Sequence, residues 1–181
     1  MKIILAFFII FSFKAALYGQ EQIAREDFIN YDLQEVNFLP GRITLGEFTY
    51  EFRNGEQPVD SSSVLTVFEN NGNIFVGLVK EITEFLIKAA PEEEFGIHTM
   101  HLSRSQEFHN QKDWIEVTGW LAGKQVTQPL ELEITVFEPP GQAYDFTIYQ
   151  GFEKVDEIKI KGSQLQFTLE CFSYLVNEKK H

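Results

Sequence analysis

Leu130-Glu131-Leu132-Glu133-Ile134-Thr135-Val136 alternates apolar and polar side chains residue by residue. Successive side chains of an extended chain point to opposite faces, so this stretch reads as a strand with one dry face and one wet face. The same period runs through Ile158-Lys159-Ile160-Lys161 and from Gln164 to Cys171. Arg42 to Phe52 is rich in β-branched and aromatic residues and is expected as one long strand. Ser63 to Phe68 and Ile74 to Val79 flank Asn70-Asn71-Gly72-Asn73, where Asn and Gly tolerate the positive φ angles of a tight turn, so a hairpin is expected there. Pro139-Pro140-Gly141 is expected to turn a second hairpin, and Lys161-Gly162-Ser163 to form the last turn.

One segment departs from period two. Val79, Ile82, Phe85, Leu86, Ala89 and Ala90 recur at spacings of three and four, with Lys80, Glu81, Glu84 and Lys88 between them. That spacing predicts a short amphipathic helix over Val79 to Ala90, stopped by Pro91. Many short strands with regular turn signals imply a barrel or a sandwich. The fold expected is an all-β, antiparallel, lipocalin-like β-barrel with one short helix, and the alternative is a β-sandwich.

The chain divides into three parts. Residues 1–19 read as a signal peptide: Met1-Lys2, then an apolar run from Ile3 to Phe13, then Lys14, with Gly19 before a plausible cleavage point. A helix needs about 20 apolar residues to span a bilayer, more than this run supplies. Residues 20–40 are an arm leading to a first strand near Gln34 to Leu39, and residues 41–181 form the β domain. The protein is therefore expected to be exported, periplasmic or secreted, with no membrane span. Removing Lys2 and Lys14 from 15 basic residues leaves 13 against 27 acids, a net charge of −14. Nucleic acid and anionic membranes select basic surfaces, so neither is expected as a partner. Cys171 is the only cysteine, which excludes an internal disulfide. Alternation places it with Leu165, Phe167 and Leu169 on a buried strand face.

No residue pattern carries catalysis by itself. His98 and His101 would point to opposite faces of an extended chain, and no Cys or carboxylate stands at ligand spacing, so no metal or cofactor is expected. Glu131 and Glu133 share a strand face and read as solvated, since a glycosidase pair must flank its substrate from opposing elements. Ser61-Ser62-Ser63 lacks the Gly-x-Ser-x-Gly setting of a nucleophile elbow, and Gly123-Lys124 lacks the rest of a phosphate loop.

Trp114-Ile115-Glu116-Val117-Thr118-Gly119-Trp120-Leu121, followed by Val126-Thr127-Gln128-Pro129-Leu130-Glu131-Leu132, resembles the hairpin of the YceI-like, polyisoprenoid-binding family. Gly119, Leu121, Val126, Thr127, Pro129, Leu130 and Leu132 carry the match, which is clearest over residues 114–136. The resemblance implies a barrel that holds a long isoprenoid or lipid chain without catalysing a reaction. The chain has 18 Phe, enough to line an apolar cavity as well as to fill a core. The expected ligand-binding residues are Phe48, Phe52, Phe75, Phe85, Trp120 and Phe167, and the expected partner is an apolar small molecule. The competing reading is an interaction or adhesion module of the cell envelope, a β-sandwich with a filled interior.

Overall fold

The computed structural model describes residues 23–27, 38–39, 41–55, 57–59, 65–70, 73–78, 82–104, 114–136, 141–165 and 167–176. Among the described residues there is no helix. Fifteen strands form instead: β1 Ile23–Asp27, β2 Phe38–Leu39, β3 Arg42–Leu45, β4 Phe48–Asn54, β5 Gln57–Pro58, β6 Leu65–Asn70, β7 Asn73–Leu78, β8 Ile82–Ala89, β9 Phe95–Arg104, β10 Trp114–Leu121, β11 Lys124–Gln125, β12 Leu130–Glu133, β13 Gln142–Asp145, β14 Glu157–Leu165 and β15 Phe167–Val176. All their pairings are antiparallel. The first sheet runs β13-β9-β15-β7-β6, with β1 also on β15; the second runs β11-β10-β14-β8-β4-β3-β2, with β12 on β10 and β5 on β4. The signal-peptide segment lies outside the described residues.

Two sheets face each other across one core, and among the described residues they do not close into a barrel. The chain passes repeatedly from one sheet to the other, and from β12 to β15 every connection changes sheet, which divides the strands into layers instead of extending a single curved sheet. The alternative architecture, two packed sheets, is the one that matches.

The expected helix over Val79 to Ala90 is a strand where it is described. Ile82–Ala89 is β8, paired with β14 on one edge and β4 on the other. Ile82, Phe85 and Ile87 all reach the core, so the inward parity changes between Ile82 and Phe85, beside a register shift whose extra residues lie on β14, while Leu86 is buried outside that core cluster. A bulge and a strand buried on both faces thus produced spacings of three and four. Arg42 to Phe52 is a hairpin, not one strand: Leu45 pairs with Phe48 across Gly46-Glu47, and Gly46 has φ +54°. The strands on either side of Pro139-Pro140-Gly141, β12 and β13, belong to different sheets and so are not a hairpin pair; Pro139 and Pro140 themselves lie outside the described residues. Nor is Lys161-Gly162-Ser163 a turn; it lies within β14, at the register shift between Lys161 and Leu165. The hairpin at Asn70–Asn73 is present, with Asn70 paired to Asn73, although Asn71 and Gly72 themselves lie outside the described residues.

β15 organises the first sheet. One edge takes β9 along its whole length, and the other takes β7 at Thr168–Leu169 and β1 at Cys171–Leu175. Cys171 is buried, but not on the face expected. A bulge at Glu170 changes the parity, so that Phe167, Leu169, Phe172 and Tyr174 face the core while Cys171 stands opposite His101 on the other side.

Aromatic rings join the sheets. Phe48 of the second sheet meets Phe95, Phe172 and Tyr174 of the first edge-on, at centroid distances of 5.1, 5.0 and 4.8 Å. Phe85 stacks on Phe52 at 5.4 Å within its own sheet and meets Phe167 of the facing sheet at 5.7 Å. Such pairs contribute roughly 0.5–1.5 kcal/mol each beyond the area they bury. Phe85→Ala is expected to destabilise the protein by about 3–5 kcal/mol in a denaturant titration, since a fully buried ring with partners on both sides leaves a cavity that cannot collapse. A loss below about 1 kcal/mol would contradict that packing.

Candidate functional site

Alternation sends Ile115, Val117 and Gly119 of β10 inward and Trp114, Glu116, Thr118 and Trp120 outward. Strand register then aligns the outward side chains in rows across the second sheet. One row is Arg53, Glu84, Lys161, Glu116 and Glu131; another is Thr49, Lys88, Glu157 and Trp120. Charges along these rows pair. Lys88 lies 3.0 Å from Glu51 and 3.4 Å from Glu157, Arg53 lies 2.6 Å from Glu51, and Lys161 lies 3.3 Å from Glu84. Burial pushes the Glu51 carboxyl up, but the hydrogen bonds and charges of Lys88 and Arg53 outweigh it and hold the group below its usual value. Leu86 is buried beneath this layer, flanked by Glu51 and Lys159 in register.

At one end of the face the layer opens into a groove of about 560 Å³. Four adjacent strands contribute: Thr83 and Glu84 from β8, Lys161 and Gly162 from β14, Trp114, Ile115 and Glu116 from β10, and Glu131 from β12. Trp114 is 52% exposed. Its counterpart at the other end of β10, Trp120, is covered: Lys159 Nζ sits 3.9 Å from the ring centroid, and the indole N–H donates to Thr118 Oγ1 at 3.0 Å.

The hairpin at the opposite end of β10, beside Trp120, is firmly fixed. The Thr127 hydroxyl accepts from Gly119 N–H at 2.8 Å, and Val126 N–H donates to Gly119 O at 2.9 Å. A Cβ at Gly119 would fall 2.8 Å from both Thr127 Cγ2 and Val155 Cγ1, so only glycine fits there. Ala122 and Gly123 both have positive φ and close the two-residue turn between β10 and β11.

A second pocket, of about 320 Å³, lies at the edge of the first sheet among Ile23, Ile97, His98, Phe146, Tyr149 and Leu175. His98 lines it, whereas His101 stands opposite Cys171 on the face away from the core. Among the described residues no group of three His, Cys, Asp or Glu side chains could hold a metal ion, and no helix is long and apolar enough to cross a membrane.

The expected ligand-binding residues divide. Phe48, Phe52, Phe85 and Phe167 come together in the core, each at most 2% exposed. Trp120 is not with them: alternation along β10 points it away from the core, toward Lys159. The side chain of Phe75 lies outside the described residues. Neither groove nor pocket is lined by any of these Phe rings. Trp114 had escaped the sequence reading, although its period-two spacing with Trp120 was a usable signal. Glu170 had also escaped it: an acid in an otherwise apolar strand, 6% exposed, with Oε1 unpartnered among the described residues.

No family model matches the chain, and no curated protein matches it in sequence. A solved structure similar to it is that of a DUF4465 family protein from Bacteroides caccae ATCC 43185, with 12% identity and a TM-score of 0.41 over 75% of this chain and 76% of that one.

Burial pushes the Glu170 carboxyl up, and the hydrogen bond from Ser103 only partly offsets it. The folded protein therefore holds this proton more tightly than the unfolded chain does. Stability tied to Glu170 is fully present below the ordinary carboxylate value and falls as pH rises through the raised one. Glu170→Gln is expected to raise the melting temperature at neutral pH and to bring no gain below about pH 4, where the wild-type carboxyl is protonated in both states. A gain of equal size at both pH values would contradict this assignment.

Proposed function

We propose that this chain is an exported, non-enzymatic β-sandwich interaction module that binds its partner on the outer face of the second sheet, beside Trp114. One observation carries the reading: a half-exposed indole heads a groove of about 560 Å³ built from four strands, on a face whose other charged side chains are largely paired. Exposed aromatics with polar surroundings are favoured at binding surfaces, because they bury a large area with few rotors to freeze. The ring contacts of Phe48, Phe52, Phe85 and Phe167 favour a filled interior over a lipid cavity. Export rests on the signal-like residues 1–19, and the net negative charge speaks against nucleic acid.

The chain has two tryptophans, so Trp120→Phe leaves Trp114 as the sole indole reporter. Titration of that variant with neutral oligosaccharides and with acidic, neutral and basic hexapeptides is expected to give a saturable change in Trp114 emission for one of these classes. Flat emission across the panel would overturn the proposed surface.

A further inference from the structure

The groove carries an imbalance of charge that the rest of its face does not. Glu51, Glu84 and Glu157 each have a cation within 4 Å, whereas Glu116 and Glu131 have none among the described residues. These two are direct cross-strand partners. Like charges directly opposite each other on a sheet destabilise it. The nearest cation in the row, Lys161, is drawn to Glu84 on its other side. Three carboxylates and one ammonium thus line the groove.

The same face shows how an indole and a carboxylate hold a cation. Lys159 Nζ lies over the Trp120 ring and 3.7 Å from Glu157. At the Trp114 end the indole and the carboxylates are present, but no cation of this chain covers the ring among the described residues. A guanidinium suits that pairing of indole and carboxylates better than an ammonium. It is planar, stacks on an indole, is weakly hydrated, and presents several donors that can serve two carboxylates at once. A groove crossing four strands is roughly 14 Å wide at the usual strand spacing. That exceeds one side chain and matches a short extended peptide.

We infer that the groove receives an arginine side chain of a protein partner, stacked on Trp114 and paired with Glu116 and Glu131. This rests on the interaction surface proposed above and names the chemistry it selects. The arginine pairs with both carboxylates and relieves the Glu116–Glu131 repulsion.

The test uses the Trp120→Phe protein and two probes, hexa-arginine and its neutral isostere hexa-citrulline. Hexa-arginine is expected to change Trp114 emission saturably, with hexa-citrulline at least tenfold weaker. The double variant E116Q/E131Q should lose at least tenfold in hexa-arginine affinity. A control, E92Q/E94Q, removes the same charge elsewhere on the surface and should lose less than twofold. K161Q removes the competing cation and should tighten binding at least threefold, a direction that no folding defect can mimic. Equal binding of the two probes, equal loss in the two double variants, or no tightening in K161Q would overturn the arginine assignment. A saturable Trp114 response to a neutral oligosaccharide alone would overturn it too, while leaving the interaction surface in place. No Trp114 response to any probe would remove both.

Discussion

The contact of Phe48 with Phe95, Phe172 and Tyr174 is the constraint on which the structure depends. With one cysteine, the chain has no disulfide to tie its sheets together. What holds them in register is the interlocking of rings from opposite layers, repeated at Phe85 and Phe167. Each ring sits in contact with several others, so the inner faces fix the relative placement of β4, β8, β9 and β15. Close packing of this kind makes the core intolerant of truncation and leaves little freedom for one sheet to slide on the other.

The outer face inherits its order from that packing. Once Ile115 and Val117 are committed to the core, Trp114, Glu116, Thr118 and Trp120 have no choice but to face outward, and the register with β14 and β12 decides which charges meet. Most exposed ion pairs contribute little to stability, about 0–1 kcal/mol each. Their value here is arrangement: among the described residues, pairing along the rows leaves one corner, around Trp114, where Glu116 and Glu131 have no cation within 4 Å and the indole is half exposed. Pairing of Trp114 and Glu116 with Glu133 and Glu131 of β12, and of Glu116 with Lys161 of β14, places that corner on paired strands instead of a loop.

Alternation made much of the architecture legible in the sequence. Leu132 and Ile134, Ile158 and Ile160, and the Asn70–Asn73 hairpin stand where period two and turn chemistry put them. Bulges defeated the reading elsewhere. The extra residue near Glu170 turned Cys171 away from the core, and the irregularity beside Ile82 gave β8 a helical spacing. Choosing between one curved sheet and two layers needs the pairing partners, and those depend on contacts distant in sequence, such as Cys171 with His101 and Phe48 with Tyr174. For the same reason the site was only half legible. Phe48, Phe52, Phe85 and Phe167 point inward as alternation reads them, but whether they line space or fill it depends on the facing sheet. Glu116 and Glu131 are unremarkable strand acids until β10 and β12 are aligned.

Whether the rings fill the interior decides between a module that binds on its surface and a carrier that binds within. Xenon occupies apolar cavities that water leaves dry and does not enter close-packed cores. Crystals of the protein pressurised with xenon are the direct measurement. A filled sandwich gives no xenon peak between the sheets, while a peak bounded by Phe48, Phe52, Phe85 and Phe167 would contradict it and restore an interior ligand.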